Sequence, residues 1–154
     1  MRKLLIASAV FFCLANAANA QLSVSINIGT QPVWGPTGYD HVDNYYLPEV
    51  DAYYSVGTKQ YTYWQGNRWI TSPGLPPQYA HVDLYKTYKV VENGNRPWMK
   101  NYQHDRQQYA SYRNNHSQPV IRDSHDQKYF ANPGHPQHGQ WQKQQNHGHD
   151  DHHH

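Results

Sequence analysis

The chain has 154 residues, of which 16% are charged and 14% aromatic, with 13 basic against 11 acidic side chains. No stripe of lysine and arginine runs through it, so composition argues against nucleic-acid binding. A single cysteine, Cys13, excludes a disulfide framework.

The first element is an address. "MRK" supplies a short positive start, "LLIASAVFFCLANA" an apolar run too short to span a bilayer comfortably, and "ANA" at Ala18–Ala20 a small-x-small cleavage site. Residues 1–20 therefore read as a signal peptide, with cleavage after Ala20. Cys13 follows Phe11 and Phe12, whereas a lipid-attachment cysteine needs small residues before it. Loss of Arg2 and Lys3 would bring the basic count level with the 11 acidic side chains. No second hydrophobic run follows, so no transmembrane segment is expected after cleavage. The expected location is the periplasm or the exterior of a Gram-negative bacterium.

Residues 21–38 read as a strand and a linker. In "LSVSINI", Leu22, Val24, Ile26 and Ile28 alternate onto one side. "GTQPVWGPTG" then breaks the chain with prolines and glycines.

Residues 39–113 read as an aromatic β-rich domain, since 13 of the 14 tyrosines lie between Tyr39 and Tyr112. A two-residue turn at Gly66-Asn67 places Trp64 opposite Trp69, Tyr63 opposite Ile70 and Thr62 opposite Thr71. A turn at Gly57-Thr58 places Val56 opposite Lys59, Tyr54 opposite Tyr61, Tyr53 opposite Thr62 and Asp51 opposite Trp64. Opposed residues share a face of the sheet. One face of this three-stranded meander then carries Val50, Ala52, Tyr54, Val56, Tyr61, Tyr63 and Ile70, and is the core face. The other carries Asp51, Tyr53, Ser55, Thr62, Trp64, Trp69 and Thr71. On it, Tyr53, Trp64 and Trp69 would form either a stacking platform for a sugar or another flat ligand, or a packed layer. "SPGLPPQY" follows directly, and Leu75, Pro76 and Pro77 in an extended path are the expected cover.

In "YAHVDLYKTYKVV", Tyr85, Tyr88 and Val91 suit a short helix, while Lys89–Val91 alone suits a strand. "RPWMKNYQHDRQQYASYRN" spaces Trp98, Tyr102, Tyr109 and Tyr112 at roughly helical intervals, giving a weak helix or an irregular wrap. Residues 114–154 are dominated by Asn, His, Gln, Asp, Pro and Gly, a composition that reads as a disordered tail. The fold class expected is a small β-rich (α+β) domain. It comprises an antiparallel meander with an aromatic core, a short helical or irregular C-terminal wrap and a disordered His-rich tail.

"YYLPEVDAYYSV", "QYTYWQGNRWITSPGLPPQY" and "DLYKTYKVV" together resemble a group of uncharacterised small secreted proteins of Bacteroidota-type bacteria. That group's pattern is YY-x-PE, Y-x-Y…G-x-W, LPP-x-Y and DLY-x-x-YKVV, and the likeness covers about residues 44–92. It implies an envelope location and brings no activity with it. It does not extend to His41, His81 or the histidine tail.

Two sets of residues could hold a metal. "YDHVDNY" and "YAHVDLY" echo each other, giving His41 with Asp43 and His81 with Asp83. Brought together, they would offer two imidazoles and two carboxylates to zinc or another divalent ion. In the tail, His147, His149, His152, His153 and His154 could chelate Zn, Ni or Cu without any fold. No cofactor is required by any motif. A G-x-S-x-G, an H-E-x-x-H and a phosphate-binding glycine loop are all lacking. Glu49 and Glu92, the only glutamates, are not singled out as a catalytic pair. The expectation is a non-enzymatic envelope protein, structural or interacting, whose partner is an envelope protein or a glycan. A metal-handling protein and a carbohydrate-binding module are the alternatives.

Overall fold

The computed structural model describes residues 27–147. Its centre is a five-stranded antiparallel sheet of β1 (Asn44–Leu47), β2 (Ala52–Ser55), β3 (Gln60–Gln65), β4 (Arg68–Ser72) and β5 (Val90–Glu92), in the order β4-β3-β2-β1-β5. Two α-helices follow, α1 (Trp98–Gln108) and α2 (His138–His147), with 3₁₀ turns between them.

Both hairpin registers agree with the sequence reading. Trp64 opposes Trp69 and Tyr63 opposes Ile70 across β3 and β4, while Tyr54 opposes Tyr61 across β2 and β3. Gly66 and Asn67 both have positive φ, 56° and 61°, as a two-residue turn of this twist demands. The β2–β3 connection is longer than expected. Lys59 takes a left-handed φ of 56° and its N–H bonds to the Ser55 carbonyl at 2.9 Å, so the ladder stops at Ser55–Gln60 with its register unchanged. Asp51 also leaves the ladder. It sits at φ 51° in the β1–β2 turn and does not oppose Trp64.

β1 and β5 enlarge the expected three strands to five. Tyr45 pairs with Tyr54 on one side and Val91 on the other, so the "YKVV" segment ends as a strand and not as a helix. One face of the sheet is closed. Tyr45, Leu47, Ala52, Tyr54, Tyr61 and Tyr63 are buried there under Trp34, Leu75, Tyr79, Val82 and Leu84. Gly35 lets the chain pass over this layer, because a Cβ at that position would meet the Tyr45 hydroxyl at 2.7 Å.

The ends of the described region differ from expectation. Residues 27–30 are helical, so the strand expected over Leu22–Ile28 does not include Asn27 and Ile28, and its remainder lies outside the described residues. The Asn27 carbonyl accepts from the Gln31 N–H, and the Asn27 side chain accepts from the Val42 N–H, which turns the segment back onto β1.

Residues 114–147 were expected to be disordered, yet they are built into the fold. Ile121 and Tyr129 bury against Ile28 in a second small core. The Ile121 N–H bonds to the Gly35 carbonyl, and the buried Asn132 amide donates to the carbonyls of Ile28 and Gln31. A few apolar anchors and many polar bonds to backbone replace the apolar surface that the segment lacks. The domain therefore does not close at Arg113.

Candidate functional site

The second face of the sheet is covered by α1. This helix follows Arg96 and Pro97, and its first turn is entered without a side-chain cap. Trp98, Tyr102, Asp105 and Tyr109 recur at helical spacing and so share one side. Trp98 stands 6.0 Å from Tyr53 between ring centroids, Tyr102 4.9 Å from Trp69, and Tyr109 6.3 Å from Tyr46. The Tyr53 hydroxyl donates to Asp105 Oδ2 at 2.5 Å. Burial raises the Asp105 carboxyl above its ordinary range, a rise partly offset by that bond.

This arrangement sorts the three stacking candidates. Tyr53 is completely buried and reaches no ligand. Trp69 is half-buried, in edge contact with Tyr102. Trp64 is 45% exposed and meets Trp69 edge-on at 5.2 Å. The expected cover is thus corrected in identity and extent. Leu75 packs on the opposite, closed face, and α1 covers Trp69 while leaving Trp64 open. A strand reverses its facing at every residue, and the chain beyond Ser72 turns toward the Tyr54 side.

The opening left beside Trp64 is a cleft of about 340 Å³, walled by Trp64, Trp69, Trp98, Met99, Tyr102 and Arg106. Met99 is 61% exposed. Arg106 lies over the Tyr102 ring at 5.4 Å and its Nε is 3.4 Å from Asp51 Oδ2. Asp51 also takes the Tyr46 hydroxyl at 2.7 Å and Arg113 at 3.1 Å, so the β1–β2 turn is tied to the last turn of α1 and to the segment just beyond it. On the other side of Trp98 lies a larger trough of about 650 Å³. Thr62, Thr71, Gln60, Ser55 and Asn44 are among its lining residues. Thr62 and Thr71 hydrogen-bond to each other at 3.0 Å.

The paired metal site does not assemble. His41 Nε2 and Asp43 Oδ1 are 3.0 Å apart, but Asp43 Oδ2 accepts the Gly94 N–H. His81 is exposed, and Asp83 accepts the Tyr85 N–H. Among the described residues no three His, Cys, Asp or Glu side chains are grouped closely enough to hold a metal ion. Asp83 serves a local turn, whereas Asp43 ties β1 to the loop at Gly94. His147 ends α2, and His149, His152, His153 and His154 lie outside the described residues.

Two buried ionisable groups, Asp105 and Lys89, escape the sequence reading. Asp105 Oδ1 and Lys89 Nζ are buried without a hydrogen-bond partner among the described residues. Burial pushes the Lys89 ammonium down to about 8, with Asp83 opposing the shift. Burial also raises Glu92, which accepts from the Asn101 amide at 2.9 Å. Asp105 carried a signal, since it falls on the Trp98–Tyr102–Tyr109 side of the helix, where any residue must be covered. Lys89 carried none in its own stretch, because its burial depends on residues brought over it from elsewhere in the chain. Comparison with known proteins finds no matching family model, no matching curated protein and no matching solved structure.

Proposed function

We propose that this is an exported, non-enzymatic binding module of the bacterial envelope that holds a glycan against Trp64 and Trp69. The observation that carries the reading is the gathering of exposed apolar surface. Trp64 and Met99 are two of the three exposed large hydrophobic residues among those described, and both line the same cleft. Clustered exposed apolar surface with a polar rim marks an interaction site. Here the rim is Lys100, Gln103 and Arg106. An indole with hydrogen-bonding groups at its edge suits a sugar, which offers an apolar ring face and a polar periphery. The N-terminal address supports export. The lack of enzyme motifs supports binding without turnover.

The test is a tryptophan-fluorescence titration of the mature chain with cello-, chito- and manno-oligosaccharides. Binding of at least one series should perturb the emission, and Trp64→Ala should abolish that binding with the fold retained. Failure of every series, or binding undiminished in Trp64→Ala, would sink the reading.

A further inference from the structure

The cleft and the trough are neighbours, and their chemistry differs. Both are lined by Trp98. Residues two apart on a strand face the same way, so Gln60, Thr62 and Trp64 of β3 line up on the side of the sheet that α1 covers. Thr71 and Trp69 of β4 join them, paired with Thr62 and Trp64 respectively. From Gln60 to Trp64 the strand advances about 13 Å, well beyond one sugar ring. The trough adjoins the aromatic cleft across Trp98, the residue that lines both.

Its lining is mostly uncharged. Asn44, Ser55, Thr58, Gln60, Thr62 and Thr71 bring hydroxyls and amides, while Asp43 and Arg96 are of opposite sign and cancel. Thr62 and Thr71 hold each other, and the Asn44 amide nitrogen is engaged with the carbonyls of Glu92 and Gly94. The side chains of Ser55, Thr58 and Gln60 have no hydrogen bond among the described residues, although they stand in the trough. A neutral, unengaged set of donors and acceptors next to an aromatic cleft is suited to a ligand with many hydroxyls and no net charge.

We infer that the ligand is an extended, uncharged polysaccharide chain lying along β3 and β4. One unit rests on Trp64 and Trp69, and the chain passes Trp98 so that further units bond to Gln60, Ser55 and Thr58. This rests on the reading that the Trp64–Trp69 cleft holds a sugar, and it adds the length and neutrality of that ligand. An acidic glycan is disfavoured because the charge of Arg96 in the trough's lining is matched there by that of Asp43.

Chain length separates the two claims. Affinity for cello-, chito- and manno-oligosaccharides of two to six units is measured by calorimetry on wild type, Gln60→Ala and Thr58→Ala. In the series that binds, affinity should rise at least tenfold from the disaccharide to the hexasaccharide. Gln60→Ala should lower hexasaccharide affinity about fivefold and leave the disaccharide unchanged. Thr58→Ala, in an exposed turn, reads the same contact should Gln60→Ala fail to fold. Equal affinity for two and six units, or no loss in either variant, overturns the extended chain and leaves the tryptophan cleft standing. No binding in any series overturns both.

Discussion

The two faces of the sheet are built from alternating residues of the same strands, yet one is sealed and the other is not. The sealed face is covered by several separate pieces of chain, bringing Trp34, Leu75, Tyr79, Val82 and Leu84 over Tyr45, Tyr54 and Tyr63. The other face has α1, an 11-residue helix. Such a helix is about 16 Å long and 10–12 Å wide, while five strands at about 4.8 Å span about 19 Å before twist is counted. One helix cannot tile that area. It seals Tyr46 and Tyr53 near the middle and leaves openings on both sides of Trp98. Loops can follow a twisted surface, whereas a straight helix leaves gaps where sites form.

Four substitutions press on this contrast. Leu47→Ala, within the sealed layer, should cost about 3–5 kcal/mol in urea unfolding. A cost under 1 kcal/mol would mean that this face is looser than described.

Lys89→Met should stabilise the fold, by up to about 3 kcal/mol for a shift from 10.5 to about 8. The sign follows from proton counts. Between pH 8 and 10.5 the unfolded chain holds the Lys89 proton and the folded chain does not, so wild-type stability rises with pH across that window. The penalty is in full force below pH 8, and the gain from methionine should fade as pH approaches 10.5. The buried tyrosines act oppositely. Burial raises Tyr45, Tyr46 and Tyr53, and pushes Tyr61 up to about 12. Their contribution is intact below pH 10 and lost above it. Wild type should therefore peak in stability near pH 10, and Lys89→Met should lose the rise toward that peak. A wild-type curve flat from pH 8 to 10 would refute the assignment.

On the helix-covered face, Tyr53→Phe keeps the ring but leaves the Asp105 carboxylate without its one hydrogen bond. The expected cost is about 2 kcal/mol near neutral pH. It should shrink in acid, where Asp105 takes up its proton and no longer needs the donor. A cost independent of pH would show that packing alone is involved.

The smallest stability effect belongs to Trp64→Ala, about 1 kcal/mol, because the ring is 45% exposed and its main contact is the edge-on pair with Trp69. A loss as large as that of Leu47→Ala would make Trp64 a core residue and remove the contrast between the faces.

Much of the sheet was legible in advance, and for a definite reason. Gly66-Asn67 admits few turn geometries, and one turn sets every pairing above it, so Trp64–Trp69 and Thr62–Thr71 follow from local sequence. The stripe Trp98–Tyr102–Tyr109 likewise follows from helical periodicity. The cover did not. "SPGLPPQY" is adjacent to the tryptophans in sequence, but adjacency does not decide on which side of a sheet a departing chain will lie. Composition misleads over residues 114–147, while the rest of the expected disordered tail lies outside the described residues. Composition measures how much apolar surface a segment can bury, and gives no account of carbonyls waiting elsewhere for an Asn132 or of a slot for Ile121.

The β2–β3 and β3–β4 registers, the alternating faces of those strands and the helical side that meets one of them follow from the sequence, because they depend on residues close along the chain, whereas the β1–β5 pairing joins residues such as Asn44 and Glu92 that are far apart in it. Long-range packing sets the rest: Trp64 stays open while Tyr53 is buried, Lys89 Nζ and Asp105 Oδ1 are left without partners among the described residues, and His41 and His81 do not converge. Those outcomes depend on which distant segments reach a given spot and how much of it they cover, and nothing local carries that information.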